Sequence, residues 1–251
     1  MPTPIRMVFT NEDLQAAFRA AESLCRKPES GIARVAILVP TKANASTSTT
    51  LGAHLGENVC KAFEKGQQVS ICGLPASLVT KKTLTNLPAD TLVICVYASQ
   101  DMMDRIDSFG RPAAIIALPY AEHVIDPWIS AWSPLIDDIP QAQIGATISD
   151  PIVRIAMEGL SGRINLSHGF LNPRDKEAAV RTLRILRRMK HVMAAENVRA
   201  WAVAHEWRPS AADELGELVS KTMALKTAPK IDRLKDAKST YDYWVEKSGQ
   251  Q

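Results

Sequence analysis

Four arginines lie on one face of a helix that the sequence predicts in its second half. At about 100° per residue, Arg181, Arg184, Arg187 and Arg188 fall within an arc of about 120°, and apolar residues lie largely on the other side. Guanidinium groups bind phosphate oxygens through paired hydrogen bonds. These four residues, here called the arginine stripe, predict contact with DNA, RNA or another polyanion. A solvated helix face is the alternative.

A second set of polar residues follows predicted strands. Lys42, Ser46 and Thr47 lie in a polar segment between a strand and a helix, and Asp101 follows a later strand. In open α/β sheets, ligands bind at the carboxyl ends of strands, where helix N-termini attract phosphate. The pattern predicts a weak site for a phosphorylated small molecule or a nucleotide. Because G-x-x-x-x-G-K-[ST] and G-x-G-x-x-G are both absent, a loop that caps its own backbone is the alternative.

Known nucleophile and metal-ligand patterns do not occur in the sequence. There is no G-x-S-x-G, and the five histidines are too dispersed to propose a metal site. We therefore assign no catalytic residue, metal or cofactor, and whether the chain is an enzyme stays open. Cys25, Cys60, Cys72 and Cys95 lack a C-x-x-C pattern, which favours buried thiols in a reducing compartment and predicts a cytoplasmic protein.

Continuous apolar runs between helical stretches indicate how the first half is built. Such runs are typical of parallel strands, which crossover helices cover on both faces. The sequence predicts a small doubly wound, mostly parallel four-stranded sheet, within a Rossmann-like α/β domain over residues 1–140. The predicted strands are 34–39, 68–73, 91–97 and 113–118, and the predicted helices are 11–26, 50–63, 101–109 and 124–132.

The second half is predicted to be an all-helical domain over residues 151–251, after a Pro- and Asp-containing linker at 141–150. Asn172 and Ser210 are the predicted N-caps of two of its helices. The helices at 195–207 and 211–225 are separated by a short turn and form a helix-turn-helix-like pair. The other predicted helices are 151–160, 173–192 and 230–247.

Net charge differs between the two halves. Residues 1–150 hold 12 Lys+Arg and 15 Asp+Glu, giving −3, and the rest hold 18 and 12, giving +6. The charged fraction of 23% and the mean hydropathy of −0.08 are typical of a folded globular protein. The basic half is therefore the better candidate for binding an anionic partner.

One short segment carries a family resemblance. Residues 198–202, Val-Arg-Ala-Trp-Ala, resemble the corresponding helix in the small C-terminal DNA-binding module of actinobacterial nucleoid-associated silencers. In that family the following turn carries an Arg-Gly-Arg that enters the minor groove. Here the turn reads Arg208-Pro209-Ser210, which matches one of those arginines. The resemblance implies similar helical packing, and no functional residue is carried over from it.

Three hypotheses of function follow from these patterns. The first is a non-enzymatic or accessory binding protein that contacts nucleic acid or another polyanion through the arginine stripe. The second is a binder or enzyme acting on a phosphorylated small molecule or nucleotide at the strand ends. The third is a structural or assembly protein that meets a protein partner, or itself, through the C-terminal helix. Membrane contact is not expected, because the apolar runs are far shorter than about 20 residues.

Overall fold

The computed structural model describes residues 4–10, 13–137, 148–164, 173–231 and 236–250, and within them seven strands and ten α-helices. An α/β part followed by a helical part is confirmed. The strands are β1 (Ile5–Val8), β2 (Arg34–Val39), β3 (Val69–Ile71), β4 (Leu74–Thr80), β5 (Thr91–Ala98), β6 (Ala114–Pro119) and β7 (Leu135–Ile136). The helices are α1 (Leu14–Cys25), α2 (Thr50–Leu55), α3 (Glu57–Glu64), α4 (Gln100–Phe109), α5 (Asp126–Trp132), α6 (Pro151–Ser161), α7 (Pro173–Arg188), α8 (Ala195–Ala204), α9 (Pro209–Met223) and α10 (Ala237–Ser248).

The sheet is larger than the four strands predicted. Its order is β3-β4-β2-β5-β6-β1-β7, with β3 antiparallel to β4 and every other neighbouring pair parallel. The sequence missed β1 and β7 because they span 4 and 2 residues, too short for a recognisable apolar run. It missed β4 because buried and exposed residues mix along that strand. The apolar-run criterion detects only strands buried on both faces.

The predicted strand at 68–73 is a hairpin in the structure. β3 ends at Ile71, and Cys72 and Gly73 form the turn into β4 with positive φ angles of 54° and 78°. Positive φ at both central residues is the requirement of a type I′ hairpin turn, which glycine meets without strain. Cys72 therefore lies in a turn, where it is half-buried, and not inside a strand as predicted.

The sheet buries both of its faces. Val35, Ile37 and Val39 of β2 share a core with residues of α1, α2 and α3. Because side chains alternate along a strand, Leu38 and its neighbours Ala36 and Cys95 face the other side. The order of strands changes direction between β2 and β5: the chain passes from β2 to β4 on one side, and from β5 to β6 on the other. A crevice at such a point is the common ligand position of open α/β sheets.

Several predicted helix boundaries differ from the structure, and two of the differences have a clear physical cause. The helix predicted over 50–63 is divided into α2 and α3 at Gly56, whose φ of 86° is incompatible with a continuous helix. Ser210 is not an N-cap, because α9 begins at Pro209 with Arg208 as the N-cap residue. Proline at the first helical turn fixes φ there and needs no backbone hydrogen bond. The predicted N-cap Asn172 lies outside the described residues.

The helices α6 to α10 surround a second core. Trp201, Trp207 and Trp244 are 3–4% exposed and belong to this core. The indole N–H of Trp207 donates to the Ser161 hydroxyl at 2.8 Å, so the largest buried side chain of the turn after α8 keeps a polar partner. α8 packs on α9, α9 also packs on α7, and α10 packs mainly on α6.

The chain divides into two compact units. The first contains Met1–Ile129 and Ser133–Gln143, and the second contains Ser130–Trp132 and Ile144–Gln251. Most of the predicted linker, residues 141–147, lies outside the described residues. No helix in the described part of the chain is long and apolar enough to cross a membrane.

Candidate functional site

Two members of the arginine stripe are anchored to neighbouring segments. Arg181 is half-buried and donates from its guanidinium to the Thr240 hydroxyl of α10 at 3.5 Å. Arg187, also half-buried, donates to the carbonyl of Leu225, just beyond α9, at 3.3 Å. An unpaired carbonyl near a helix C-terminus is a good acceptor for a cation. These two side chains therefore hold helices together.

The other two members of the stripe are exposed. Arg184 and Arg188 lie one turn apart on α7, and neither makes a hydrogen bond or ion pair with any residue that the structure describes. Two like charges at this spacing on a helix repel each other by about 0.2–0.5 kcal/mol. An anion bound between them would relieve that repulsion. The exposed pair is thus the part of the stripe that is available to a partner.

The end of α7 turns the chain away from the stripe. Lys190 has a φ of 69°, its N–H donates to the Arg187 carbonyl at 3.2 Å, and the N–H of His191 donates to the Leu186 carbonyl at 3.0 Å. These are the two hydrogen bonds of a Schellman motif. His191, which an uninterrupted helix would place beside the arginines, therefore lies beyond the helix end and points elsewhere.

His191 joins two other polar side chains from two other helices. Its Nδ1 lies 2.6 Å from Oδ2 of Asp150, and its Nε2 lies 3.1 Å from the hydroxyl of Tyr241. The other carboxylate oxygen of Asp150 accepts the N–H groups of Ile152 and Val153, which caps α6. The His191 side chain is only 12% exposed and that of Asp150 is 32% exposed. We call this arrangement the Asp150–His191–Tyr241 relay.

The charge state of Asp150 follows from these contacts. Burial acts to raise the pKa of its carboxyl, but the hydrogen bonds from His191 and from the Val153 and Ile152 amides outweigh burial and hold the pKa below its usual value. Asp150 is therefore ionised at neutral pH and accepts hydrogen bonds through both oxygens.

In the polar segment after β2, several side chains make hydrogen bonds within the segment itself. Thr41 and Asn44 cap each other, with the Thr41 hydroxyl donating to Oδ1 of Asn44 at 2.7 Å. The Thr49 hydroxyl donates to the carbonyls of Asn44 and Ser46 at 2.9 and 2.8 Å, and Ser46 shares a hydrogen bond with Ser48. These contacts fit the alternative of a self-capping loop.

The residues predicted to bind a phosphorylated ligand lie at the carboxyl edge of the sheet. Lys42 and Thr47 are exposed and Ser46 is half-buried. Asp101, in the first turn of α4, forms an ion pair with Lys81, which follows β4. The pairing brings the ends of β4 and β5 together across β2, and it neutralises one carboxylate at this edge.

The C-terminal helix presents apolar residues to both sides. Trp244 is buried in the second core, while Tyr243 and Val245 are 51% and 42% exposed. Contact with a protein partner or a second copy through this helix stays a prediction. Among the described residues, no group of three His, Cys, Asp or Glu side chains is arranged to hold a metal ion.

Sequence reasoning missed the relay. Asp150 does carry a local signal, because Asp followed by Pro151 is a typical helix start. His191 and Tyr241 are 50 positions apart, and Asp150 is 41 positions before His191. Nothing in the spacing indicates that the three side chains meet.

Residues 149–245 match the profile of a family described as a domain of unknown function, DUF1889. The matched region contains α6 to α9, most of α10, the arginine stripe and the complete relay. No curated protein matches the chain.

Proposed function

We propose that the helical part of this protein binds nucleic acid, DNA or RNA, through the exposed arginines of the stripe, and that the protein acts as a binding or accessory factor. The observation that carries the proposal is the pair Arg184 and Arg188, exposed on α7 and without an acidic partner in the described part of the chain. The residues after 150 carry 18 basic and 12 acidic side chains, giving +6, which adds a long-range attraction for a polyanion.

The anchored arginines contribute differently to this proposal. Arg181 and Arg187 each use one guanidinium nitrogen on a neighbouring segment, at Thr240 and Leu225. Both side chains are half-buried and already donate within the protein, so they are less available to a ligand than the exposed pair. We therefore expect Arg184 and Arg188 to provide most of the phosphate contacts, with Arg181 and Arg187 holding α7 in position.

The test compares a double variant with a charge-matched control. The full chain is titrated with labelled double-stranded DNA, single-stranded DNA and RNA at about 50 and about 200 mM salt, a range over which phosphate contacts weaken measurably. In the Arg184→Gln/Arg188→Gln variant, binding should weaken, and the slope of log K against log salt should become shallower by about two.

The control is Lys61→Gln/Lys65→Gln at the end of α3, which removes the same net charge from two exposed positions of the first unit. It should bind nearly as tightly as the unchanged protein. Equal affinities of the stripe variant and the parent, or an equal loss in both double variants, would remove the basis of the proposal.

A second candidate function uses the first unit. The reversal of strand order between β2 and β5, with the exposed Lys42 near the carboxyl edge, favours an anionic small ligand there. Thermal-shift screening against nucleotides and sugar phosphates at millimolar concentration tests it. Stabilisation that Lys42→Gln abolishes would support this candidate, and the absence of any stabilisation would count against it.

A further inference from the structure

We propose that Tyr241 is a nucleophile toward phosphodiesters, with His191 as its general base and Asp150 as the residue that positions the histidine. The phosphodiester substrate class rests on the proposed function, since the relay lies in the same helical unit as the exposed arginines. A nucleophile in hydrogen-bonding distance of a base that a third group orients is the general signature of nucleophilic catalysis.

The hydrogen-bond directions in the relay favour this role. An ionised carboxylate is only an acceptor, so at 2.6 Å Asp150 receives the Nδ1–H of His191. For a neutral imidazole this leaves the lone pair on Nε2, which then accepts the hydroxyl proton of Tyr241 across 3.1 Å. The base is thus aimed at the phenol oxygen, in the arrangement that removes its proton.

Asp150 is itself fixed in place. Its Oδ1 accepts two N–H groups of the first turn of α6, those of Ile152 and Val153, at 2.9 and 3.2 Å. The carboxylate therefore cannot rotate without uncapping the helix. The backbone of His191 is held by the Schellman motif at the end of α7. Two helix ends together define the position of the imidazole.

Access and charge fit an anionic substrate. The imidazole is largely screened from water, with 12% of its side chain exposed, whereas Tyr241 is half-buried on α10, which packs mainly on α6. The guanidinium of Arg181 bonds Thr240, the residue next to Tyr241. Arg181 thereby connects α7 to α10, and the net charge of +6 after residue 150 favours the approach of a phosphate.

The chemical step balances without a further reactant. The phenol oxygen of Tyr241 forms a bond to phosphorus as its proton passes to Nε2 of His191. The bond between phosphorus and the leaving oxygen breaks, and that oxygen keeps the electron pair. A nucleic-acid leaving group takes the proton back from His191 as it departs, which leaves a phosphotyrosine diester on the protein and a free hydroxyl on the released strand.

The chemistry is tested first without any nucleic acid. Bis(p-nitrophenyl) phosphate is a small phosphodiester whose leaving group is coloured, and the full chain should release up to one equivalent of p-nitrophenolate in a burst. Mass spectrometry of the digested protein should place the p-nitrophenyl phosphate on Tyr241. Tyr241→Phe should abolish the burst, and His191→Gln should slow it by a factor of about 100 or more.

The matched control is Tyr243→Phe, which removes a hydroxyl from an exposed tyrosine two positions along the same helix. It should leave the burst unchanged. Asp150→Asn keeps a residue that caps helices as well as aspartate does, so folding is retained, but the histidine loses its ionised partner. The burst should slow and its pH profile should shift, which loss of a purely structural contact would not produce.

Nucleic acid is then tested with end-labelled single-stranded and double-stranded DNA and with RNA, resolved on denaturing gels. A covalent adduct that requires Tyr241 is the expected result, and the substrate that gives it identifies the strand type. A burst without oligonucleotide binding would retain the nucleophile and remove the proposed function. Binding without burst or adduct, or a burst that persists in Tyr241→Phe, would overturn the nucleophile and leave the proposed function standing. Absence of both binding and burst would overturn both.

Discussion

Asp150 serves two structural purposes through its two carboxylate oxygens. One oxygen caps α6 and the other holds His191, so a single side chain connects two helix ends. The structure contains a second His–Asp pair, His123 and Asp126, at 2.8 Å, but its side chains are 82% and 52% exposed. Burial distinguishes the two pairs, because exposed charge pairs contribute little to stability.

This difference predicts the outcome of two matched substitutions. Asp150→Asn should lower the free energy of unfolding by roughly 1–2 kcal/mol at neutral pH, because the cap remains but the charged acceptor of His191 is lost. Asp126→Asn should change it by less than about 0.5 kcal/mol. Urea denaturation of both variants measures the contrast, and equal effects would contradict it.

The lowered pKa of Asp150 also fixes the sign of a pH effect. Its carboxyl binds a proton less readily in the folded chain than in the unfolded chain, where its usual value is 3.8. The stabilisation is complete above that value and is lost as the pH falls through the lower folded value. In strongly acidic buffer, the free energy of unfolding of the parent should therefore fall relative to that of Asp150→Asn. Denaturation curves of both proteins measure it. A difference in free energy of unfolding between the two proteins that is the same at all pH values would contradict the lowered pKa of Asp150.

At the scale of elements, close backbone approaches matter more than helix propensity. Gly52 lies in α2 against the loop that precedes it, and an added Cβ would be 1.7 Å from the Ser46 carbonyl oxygen. Gly159 lies in α6 with open space around its Cβ position. The two helical glycines therefore give opposite expectations for the same substitution.

Gly52→Ala should destabilise the first unit by about 1–3 kcal/mol or more, because the loop backbone must move. Gly159→Ala should stabilise the second unit by about 0.5–1 kcal/mol, because alanine loses less backbone entropy in a helix. Both effects are read from urea denaturation of the full chain. If Gly52→Ala leaves the free energy of unfolding unchanged, the close approach of α2 to the loop is contradicted.

The neighbours of α7 determine the role of each arginine in the stripe. A helical wheel gives the angle of each residue around α7, and on that basis the four arginines are equivalent. The neighbours of α7 make them different, since Thr240 and the Leu225 carbonyl engage Arg181 and Arg187. Only the packing of α9 and α10 around α7 separates anchoring arginines from exposed ones.

At the scale of the whole molecule, the residues that the structure describes form two hydrophobic cores with no residue in common. Cys95 is fully buried within the sheet of the first unit, and Trp201, Trp207 and Trp244 are buried in the second. Each core belongs to a separate compact unit, and proteins with more than one such unit commonly depart from two-state unfolding.

We expect two urea transitions. Pulse labelling of the Cys95 thiol, quantified by mass spectrometry, should follow the first unit, and tryptophan fluorescence of a Trp128→Phe variant should follow the second. The substitution removes the buried tryptophan of the first unit, which is 1% exposed. Superimposable curves from the two probes would show that the units unfold together.

The sequence by itself determined the order of an α/β part and a helical part, and the placement of basic excess in the latter. Apolar runs indicate strands such as β2 and β5 because both faces of those strands are buried. Helical periodicity indicates α7 because one face of that helix is buried. Charge counts need no structure at all. These features are local, so the residues that produce them are neighbours in the chain.

Only the tertiary structure decided the rest. The short strands β1 and β7 exist because the sheet supplies partners for them, and neither has a local signal. Arg181 and Arg187 became anchors through segments far along the chain, and Asp150, His191 and Tyr241 met because three helices pack together. Contacts between distant positions depend on packing, and the spacing of residues in one sequence does not encode which helix faces meet.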